Sequence, residues 1–522
     1  MNETHTDDSD LVIVDNIQTL RNTAASEIRA VMTRGYYFPG DGGGGTYVYQ
    51  ENDTWTCDNG GDIITTTCGT RHWKLMEGAG QTVKQFGALG NNIHNDTAAL
   101  TNAYAAGTQA VPAGFYFIDD VSLLHRLSEF DGKGVFMYKG QAFPVGPVTG
   151  TIDFFVPSVF TSIQEALTCI EHLDIRGGRC DIHVADGEYD VSQMEPRINR
   201  GQRVNIYGNL QDASRCVLKV DNRNNQSCFN LQHGWSIGVI DGFTILGQYG
   251  WLGDGHWLNQ SYGGGVRATY GSTVQLGNQI AIDKMYYGLQ AKYGGSIQCG
   301  AHLRVQRAGD CGVHAFAASI ECLHADVSDC IHQDEYNDLG FGITAEAGGF
   351  VDATGATTSG NLKAGFYCNG GRMWASNGQA SNNHAHGFFA LNGGTIEANQ
   401  GQANNNAQCG FVATNNSFIL AFHATATSNS KGFGAWHNST IDINGANAVT
   451  NNGAGFLAVD SSVLSHHSSA SNNKGHAWAV HGQSICTTPY VITSSSDSNV
   501  HASGQSLFKI NRRYIDINDT SK

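Results

Sequence analysis

Proline is scarce, at 7 of 522 residues. Charge is scarce too: Asp, Glu, Lys and Arg make up 15% of the chain, against a usual value of about 25%. Basic residues are the minority, 30 Lys+Arg against 46 Asp+Glu, so the formal charge is −16. A chain this acidic is a poor phosphate binder, which argues against nucleic acid as a partner. No apolar run approaches the ~18 residues that span a bilayer, so no membrane insertion is expected. The start, Met1-Asn2-Glu3-Thr4, lacks the basic and apolar regions of a signal peptide, so any export takes another route. No CxxC or His/Cys spacing suggests zinc, and no metal or cofactor is expected. The 13 cysteines are scattered and often flanked by apolar residues, as at Cys299, Cys322 and Cys368, so they read as reduced and buried. Cys57 and Cys68 are placed to close a hairpin. The glycine-rich stretch 41–45 lacks the Lys-Ser/Thr of a phosphate-binding loop.

What is abundant is glycine, 66 residues, together with Asn, Ser, Thr and Gln. That composition favours many short strands joined by tight turns, and internal repeats decide the fold. From residue 265 one phrase recurs: Gly, an apolar residue, any residue, then usually Ala. It begins at Gly265, Gly288, Gly312, Gly342, Gly365, Gly387, Gly410, Gly432 and Gly455. The intervals lie between 22 and 24 except one of 30, between Gly312 and Gly342. Each unit holds three strand-like pieces and a polar turn such as Asn404-Asn405-Asn406. Asn tolerates left-handed backbone, and its amide can bond the Asn stacked one coil away.

A period near 23 residues with three strands predicts an all-β chain, a right-handed parallel β-helix with small N-terminal modules. Alternation should point the residue after each Gly, and the Ala two further on, into a stacked core. Residues 155–264 read as earlier coils, with Phe160–Leu167 as a helix capping the open end.

Three stretches carry a family resemblance. The first is Gly35-Tyr36-Tyr37-Phe38-Pro39-Gly40-Asp41 with the glycines that follow. The second is Phe86-Gly87-Ala88 followed by Asn95-Asp96-Thr97-Ala98-Ala99-Leu100, and the third is the repeat array itself. The sequence resembles bacteriophage tailspikes of the pectin-lyase-like β-helix superfamily over residues 20 to about 485. The resemblance implies a homotrimer, attachment to a phage tail or baseplate through the N-terminal region, and recognition or cleavage of a bacterial surface polysaccharide, capsule or O-antigen. It implies a virion protein, made in the host cytoplasm and acting at the bacterial surface. It carries over no catalytic residue. The polygalacturonase motif set is missing, and no pectate-lyase calcium cluster is recognisable.

Candidate sites therefore come from the stacking of coils, about 4.8 Å apart. The outward columns of the first strand read Arg267, Gln290, His314, Thr344, Tyr367 and Thr269, Lys292, Phe316, Glu346, Asn369. In the second strand the column reads Gln275, Gln298, Glu321, Asp352, Ala375, Glu397, Leu420. Glu321 and Asp352 fall on adjacent coils, at a spacing that suits the paired carboxylates of glycoside hydrolysis. Glu346 leads through Gly348-Gly349 toward Asp352. The one long interval holds Asp334 and Glu335, in the coil of Glu321. The plain alternative is that these acids are solvated strand faces and the insertion a tolerated one. Trp251, Trp257 and Tyr262, in a glycine-rich stretch, suit stacking on sugar rings or sealing an interface between protomers. Later coils present Phe389, Leu391, Val412 and Trp436 outward, which suits a trimer interface.

The expected organisation is 1–80 for virion attachment, 81–150 as a neck, 151–485 as the β-helix and 486–522 as a short cap. The preferred function is a polysaccharide depolymerase, by hydrolysis, with its acid and base drawn from Glu321, Asp352, Glu346, Asp334 and Glu335. One rival is a lyase using His314, Tyr367, Lys292 and Arg267 for β-elimination. The other is a non-catalytic, glycan-binding adhesin.

Overall fold

The computed structural model describes residues 11–24, 28–50, 57–69, 71–76, 80–199, 203–251, 263–332, 339–464, 467–488, 492–494, 500–503, 507–510 and 513–516. Contacts divide the chain into two compact units, Met1–Asp181 and Ile182–Lys522.

In the first unit, Ala30–Thr33, Gly45–Gln50, His72–Leu75 and Ile63–Thr65 pair in that order as antiparallel neighbours, and Leu11–Val14 adds a parallel edge. Period-two alternation sends Val31, Tyr47, Trp73 and Leu75 inward, where they meet Ile17, Leu20 and Ile64. One carboxylate organises the glycine-rich segment: Asp41 accepts N–H bonds from Tyr36, Tyr37, Phe38 and Gly43 at 2.8–3.2 Å. Burial alone would raise its pKa, but these backbone donors outweigh it and hold the carboxyl below its ordinary value.

A second sheet follows, with Asn91–Asn95, Ala110–Ile118 and Asp131–Tyr138 parallel and Gln141–Pro144 antiparallel. Here the buried Asp96 shows why the Gly-Ala and Asp-Thr motifs keep their spacing. Its carboxylate accepts the N–H groups of Leu89 (2.7 Å) and Gly90 (3.0 Å), so the two motifs are one hydrogen-bonded unit. The helix expected from Phe160 runs over Ile163–Glu171, with the Ser162 hydroxyl accepting the Glu165 N–H as its cap. Its buried Ile163, Ala166, Leu167 and Ile170 form one stripe.

The second unit is the parallel β-helix. Each coil gives one strand to each of three sheets. Phe388–Leu391, Thr395–Glu397 and Gln402–Asn404 are one coil's strands in the first, second and third sheet. Equivalent residues stack in register, so Phe366, Phe388, Phe411, Phe433, Phe456 and Trp478 form one inward column. Their rings stack at 4.2–5.3 Å and are buried. Earlier coils fill the same column with Val266, Leu289, Val313 and Ile343. The coil pattern continues through Val500–Ala502 and Leu507–Ile510, where Arg513–Asp516 turns back antiparallel.

The asparagine turns split their two expected roles between neighbouring residues. Left-handed backbone falls on Asn382, Asn405, Ser428, Thr450 and Asn472. The next residues, Asn383, Asn406, Asn429, Asn451 and Asn473, are buried and bond along the axis. Asn429 Oδ1 accepts both the backbone N–H and the amide of Asn406, each at 2.9 Å, and the pattern repeats from coil to coil.

Three expectations change. Val412 points outward in register with Phe389 but is buried, 2% exposed. The reason is Gly434 on the next coil: a Cβ there would lie 2.4 Å from the Trp436 ring, so the indole lies across the column where a side chain is missing. Phe389, Leu391 and Trp436 are half-buried. In the second sheet the outward residue after Asp352 is Trp374, and Ala375 is buried. Gly370-Gly371 makes the turn one residue shorter than Ala347-Gly348-Gly349, which shifts the register by one. Cys57 and Cys68 are exposed and not joined in a disulfide, while the other eleven of the 13 cysteines are buried and likewise unbridged.

Candidate functional site

The first sheet carries an unusual outer face. Alternation sends Val313 and Ala315 into the core and His314 and Phe316 outward. The register then stacks Asn230, Arg267, Gln290, His314, Thr344 and Tyr367 in one column. The parallel column holds Thr269, Lys292, Phe316 and Glu346. Residues facing away from the core should be wet. Yet Asn230, Gln290, His314, Thr344 and Tyr367 are all buried. Flanking rings shield them: Tyr287 stacks on His314 at 5.6 Å and Phe341 on Tyr367 at 4.4 Å.

Within this patch His314 Nε2 lies 2.9 Å from Glu346 Oε2. That bond, more than any other cause, holds the Glu346 carboxyl below its ordinary value, so Glu346 is ionised at neutral pH. Nε2–H then donates to Glu346, and Nδ1 of a neutral His314 is left as an acceptor. Burial pushes the Tyr367 phenol up to about 12, and the Glu346 charge adds to it. Burial, with Arg267 nearby, lowers the Lys292 ammonium, while Asp310 and Glu346 act against that shift. Tyr287 donates its hydroxyl to Asp310 at 2.6 Å. Among the described residues, four buried atoms of the column have no hydrogen-bond partner: His314 Nδ1, Gln290 Nε2, Arg267 Nε and Asn230 Oδ1. Such groups are uncommon in folded proteins, and they are open to ordered water or to a polar ligand.

The other predicted residues stand elsewhere. Glu321 and Asp352 are register neighbours in the second sheet, one rung apart. Glu321 accepts from Gln298 Nε2 at 3.2 Å, and Asp352 accepts both the N–H and the hydroxyl of Thr354. Among the described residues no hydrogen bond joins this pair to His314 or Glu346. The structure thus brings Arg267, Lys292, His314, Glu346 and Tyr367 together, and leaves Glu321 and Asp352 as a separate, half-exposed pair. Trp251 is half-buried at the end of a described segment. Trp257, Tyr262, Asp334 and Glu335 lie outside the described residues. Sequence reasoning missed Tyr287 and Asp310. Tyr287 occupies the position just before the repeat glycine, where Cys311 and Phe341 also stand, and that column was open to the same tabulation.

Residues 13–78 match the family described as the phage tail protein small four-stranded beta-sheet domain. Among solved structures, the chain is similar to the full-length tailspike protein 2 of the Escherichia coli O157:H7 bacteriophage CAB120. The two are 13% identical, with a TM-score of 0.22, over 98% of this chain and 56% of that one. It is also similar to the catalytic domain of a GH87 alpha-1,3-glucanase, at 12% identity and a TM-score of 0.34, over 68% of each chain. The third is the tailspike of Acinetobacter phage vb_AbaP_AS12, at 11% identity and a TM-score of 0.27, over 97% of this chain and 76% of that one. The chain thus spans little more than half the length of the first of these tailspikes.

Proposed function

We propose that the chain is a phage tail component that binds and cleaves a bacterial surface polysaccharide, with its reacting centre on the outer face of the first sheet. The observation that carries this reading is the buried, incompletely bonded polar column around the His314–Glu346 pair. Perturbed titratable groups gathered with open hydrogen-bonding positions mark catalytic surfaces. The match of residues 13–78 supports the place in a tail. Assembly as a homotrimer belongs to the same reading. Light scattering should then give about three times 55.9 kDa.

The chemistry these groups suit is β-elimination at a uronate. His314 Nδ1, covered in the free protein, takes the proton beside the sugar carboxylate once the bound glycan displaces its cover, and Lys292 and Arg267 balance the charge that develops. The glycosidic C–O bond breaks as the ring double bond forms, and Tyr367 protonates the leaving oxygen. Glu346 orients the imidazole and stabilises it once protonated. A second reading, hydrolysis at Glu321 and Asp352, rests on their adjacent rungs. It is the reading the sequence favours, but neither residue sits in a desolvated setting.

One experiment separates them. The protein is incubated with the purified capsule or O-antigen of a sensitive strain, and reducing ends and ultraviolet-absorbing unsaturated ends are followed together. Elimination predicts that both appear. His314→Ala or Tyr367→Phe should then lower turnover about 10²–10⁴-fold, while Glu321→Gln and Asp352→Asn stay near full activity. Reducing ends without unsaturation, lost in the Glu321 and Asp352 variants, move the assignment to hydrolysis. Binding with no new ends makes the protein an adhesin.

A further inference from the structure

The turn that joins the first sheet to the second is left-handed in coil after coil, at His233, Tyr270, Tyr293, Ala317, Ala347, Gly370, Asn392, Asn415, His437 and Asp460. Left-handed backbone disfavours bulky side chains. Tyrosine at two of these positions is therefore poor turn chemistry. Both rings also stand in solvent, Tyr270 56% and Tyr293 50% exposed. They stack on each other at 5.3 Å and 19°, and His233 extends the stack at 6.3 Å. Stacked between His233 and Phe316, the two exposed rings turn their edges to solvent as an apolar ridge.

Further along the same edge the side chains shrink, at Ala317, at Ala347-Gly348 and at Gly370-Gly371. Glu346 of the polar patch is covalently next to Ala347, so this low stretch passes the proposed reacting centre. Beyond it the edge becomes a groove of about 800 Å³ whose lining includes Asn392, Asn415, Asn416, Asn438 and Asp460. The amides are held in a ladder. Asn415 Nδ2 donates to Asn392 Oδ1 and Asn438 Nδ2 to Asn416 Oδ1, each at 3.1 Å. Each such bond uses one of an amide's two N–H groups. No lysine or arginine lines the groove.

From these observations we propose that this turn edge is one continuous track for a linear glycan. Sugar rings pack against the exposed edges of Tyr270 and Tyr293, the chain crosses the small residues beside Glu346, and neutral, hydroxyl-rich sugars occupy the amide groove. The rungs repeat about every 4.8 Å, a step close to that of one sugar in an extended chain, so successive amides meet successive sugars. Amides without cations suit hydroxyl groups and give a polyanion no counter-charge, whereas Lys292 and Arg267 at the patch supply one. The track thus reads a substrate in which an acidic sugar at the cleavage position is followed by uncharged ones. This deepens the proposed function and rests on it for the acidic position alone.

The test uses the full chain carrying His314→Ala, so that binding is measured without cleavage. Immobilised host polysaccharide and neutral oligosaccharides prepared from it are the probes. Tyr270→Gly and Tyr293→Gly suit the left-handed turn, so thermal unfolding should not fall. Together they should weaken polysaccharide binding about tenfold or more. Asn415→Gly with Asn438→Gly, which suit the left-handed backbone at both positions, should abolish capture of the neutral oligosaccharides, with the unfolding temperature nearly unchanged. Wild-type binding by both variant pairs overturns the track, as does a change in molecular mass by light scattering, which would make this edge a contact between copies. If binding responds as expected but no variant at the patch alters cleavage, the track stands and the proposed reacting centre falls.

Discussion

The coils from Gly264 to Asn369 and those from Phe388 to His481 share one backbone and one register, yet they differ inside and out. Inside, the earlier coils stack Val266, Leu289, Val313 and Ile343, while the later ones stack phenylalanines and then Trp478. Outside, the earlier coils place Gln290, His314 and Tyr367 where the later ones place Phe389, Val412 and Gly434, and Lys292 and Glu346 where the later ones place Leu391, Thr414 and Trp436. The buried asparagine ladder, Asn361 to Asn473, bonds every later coil to the next and begins in the coil that carries Glu346. Where the repeat is most regular, the residues hold the solenoid together. Where it is broken, by a long interval, an outward ring or an unpaired buried amide, stand the residues proposed to face a ligand. Regularity and chemistry divide the same helix between them.

The sharpest way to break this comparison is to remove one ring from the regular half. Phe411→Ala opens a cavity between Phe388 and Phe433 and should cost about 3–5 kcal/mol. Phe389→Ala, one residue outward and half-buried, should cost much less. Equal losses in chemical denaturation of the two variants would mean that the later coils are not held by their inner column.

The inner column was legible because a repeat exposes itself: a phenylalanine every 22 or 23 residues after glycine leaves little choice of register. The outer columns were legible only between insertions. His314, Thr344 and Tyr367 were placed correctly because their first-sheet strands start at the same offset from the repeat glycine. Ala375 was misplaced because a turn one residue shorter swaps the two faces of a strand. Val412 was misread because its burial depends on Trp436 leaning over Gly434, a contact that no periodicity reports. Partner choice is harder still. That Glu346 bonds His314 across one rung depends on side-chain reach, which stacking alone leaves open.

The ladder gives a smaller test of the same division. Asn429→Ala strips an acceptor from the buried N–H and amide of Asn406 and a donor from the carbonyl of Ala403. Leaving a buried polar group unsatisfied costs about 1–3 kcal/mol. Asn415, in the solvent-facing ladder and at left-handed backbone, should lose no more than about 0.5 kcal/mol as glycine, since the turn is kept and water replaces its bonds. Comparable losses would show that the outer ladder also holds the fold, and would weaken the case that it serves a ligand.

The smallest expected effect concerns acid. In the later coils His386 is half-buried, and burial lowers its pKa from 6.5 to about 4. Its Nδ1 accepts the Cys409 N–H at 3.3 Å, which requires the neutral ring. Because the folded value lies below the unfolded one, the unfolded chain binds the proton first. Stability is therefore full above pH 6.5 and falls as the pH drops from there to about 4. In the earlier coils Glu346 is also held below its ordinary value, 4.5, chiefly by its bond to His314. Its contribution is intact above 4.5 and is lost only as the pH falls through the lower folded value. The two halves thus lose stability in different windows, the regular half first. Unfolding temperatures of wild type, His386→Gln and Glu346→Gln across the acid range check this. His386→Gln should flatten the curve between pH 6.5 and about 4. Glu346→Gln should be less stable than wild type at neutral pH and converge with it in stronger acid. Convergence already near pH 6 would mean that Glu346 is not held below its ordinary value in the folded protein.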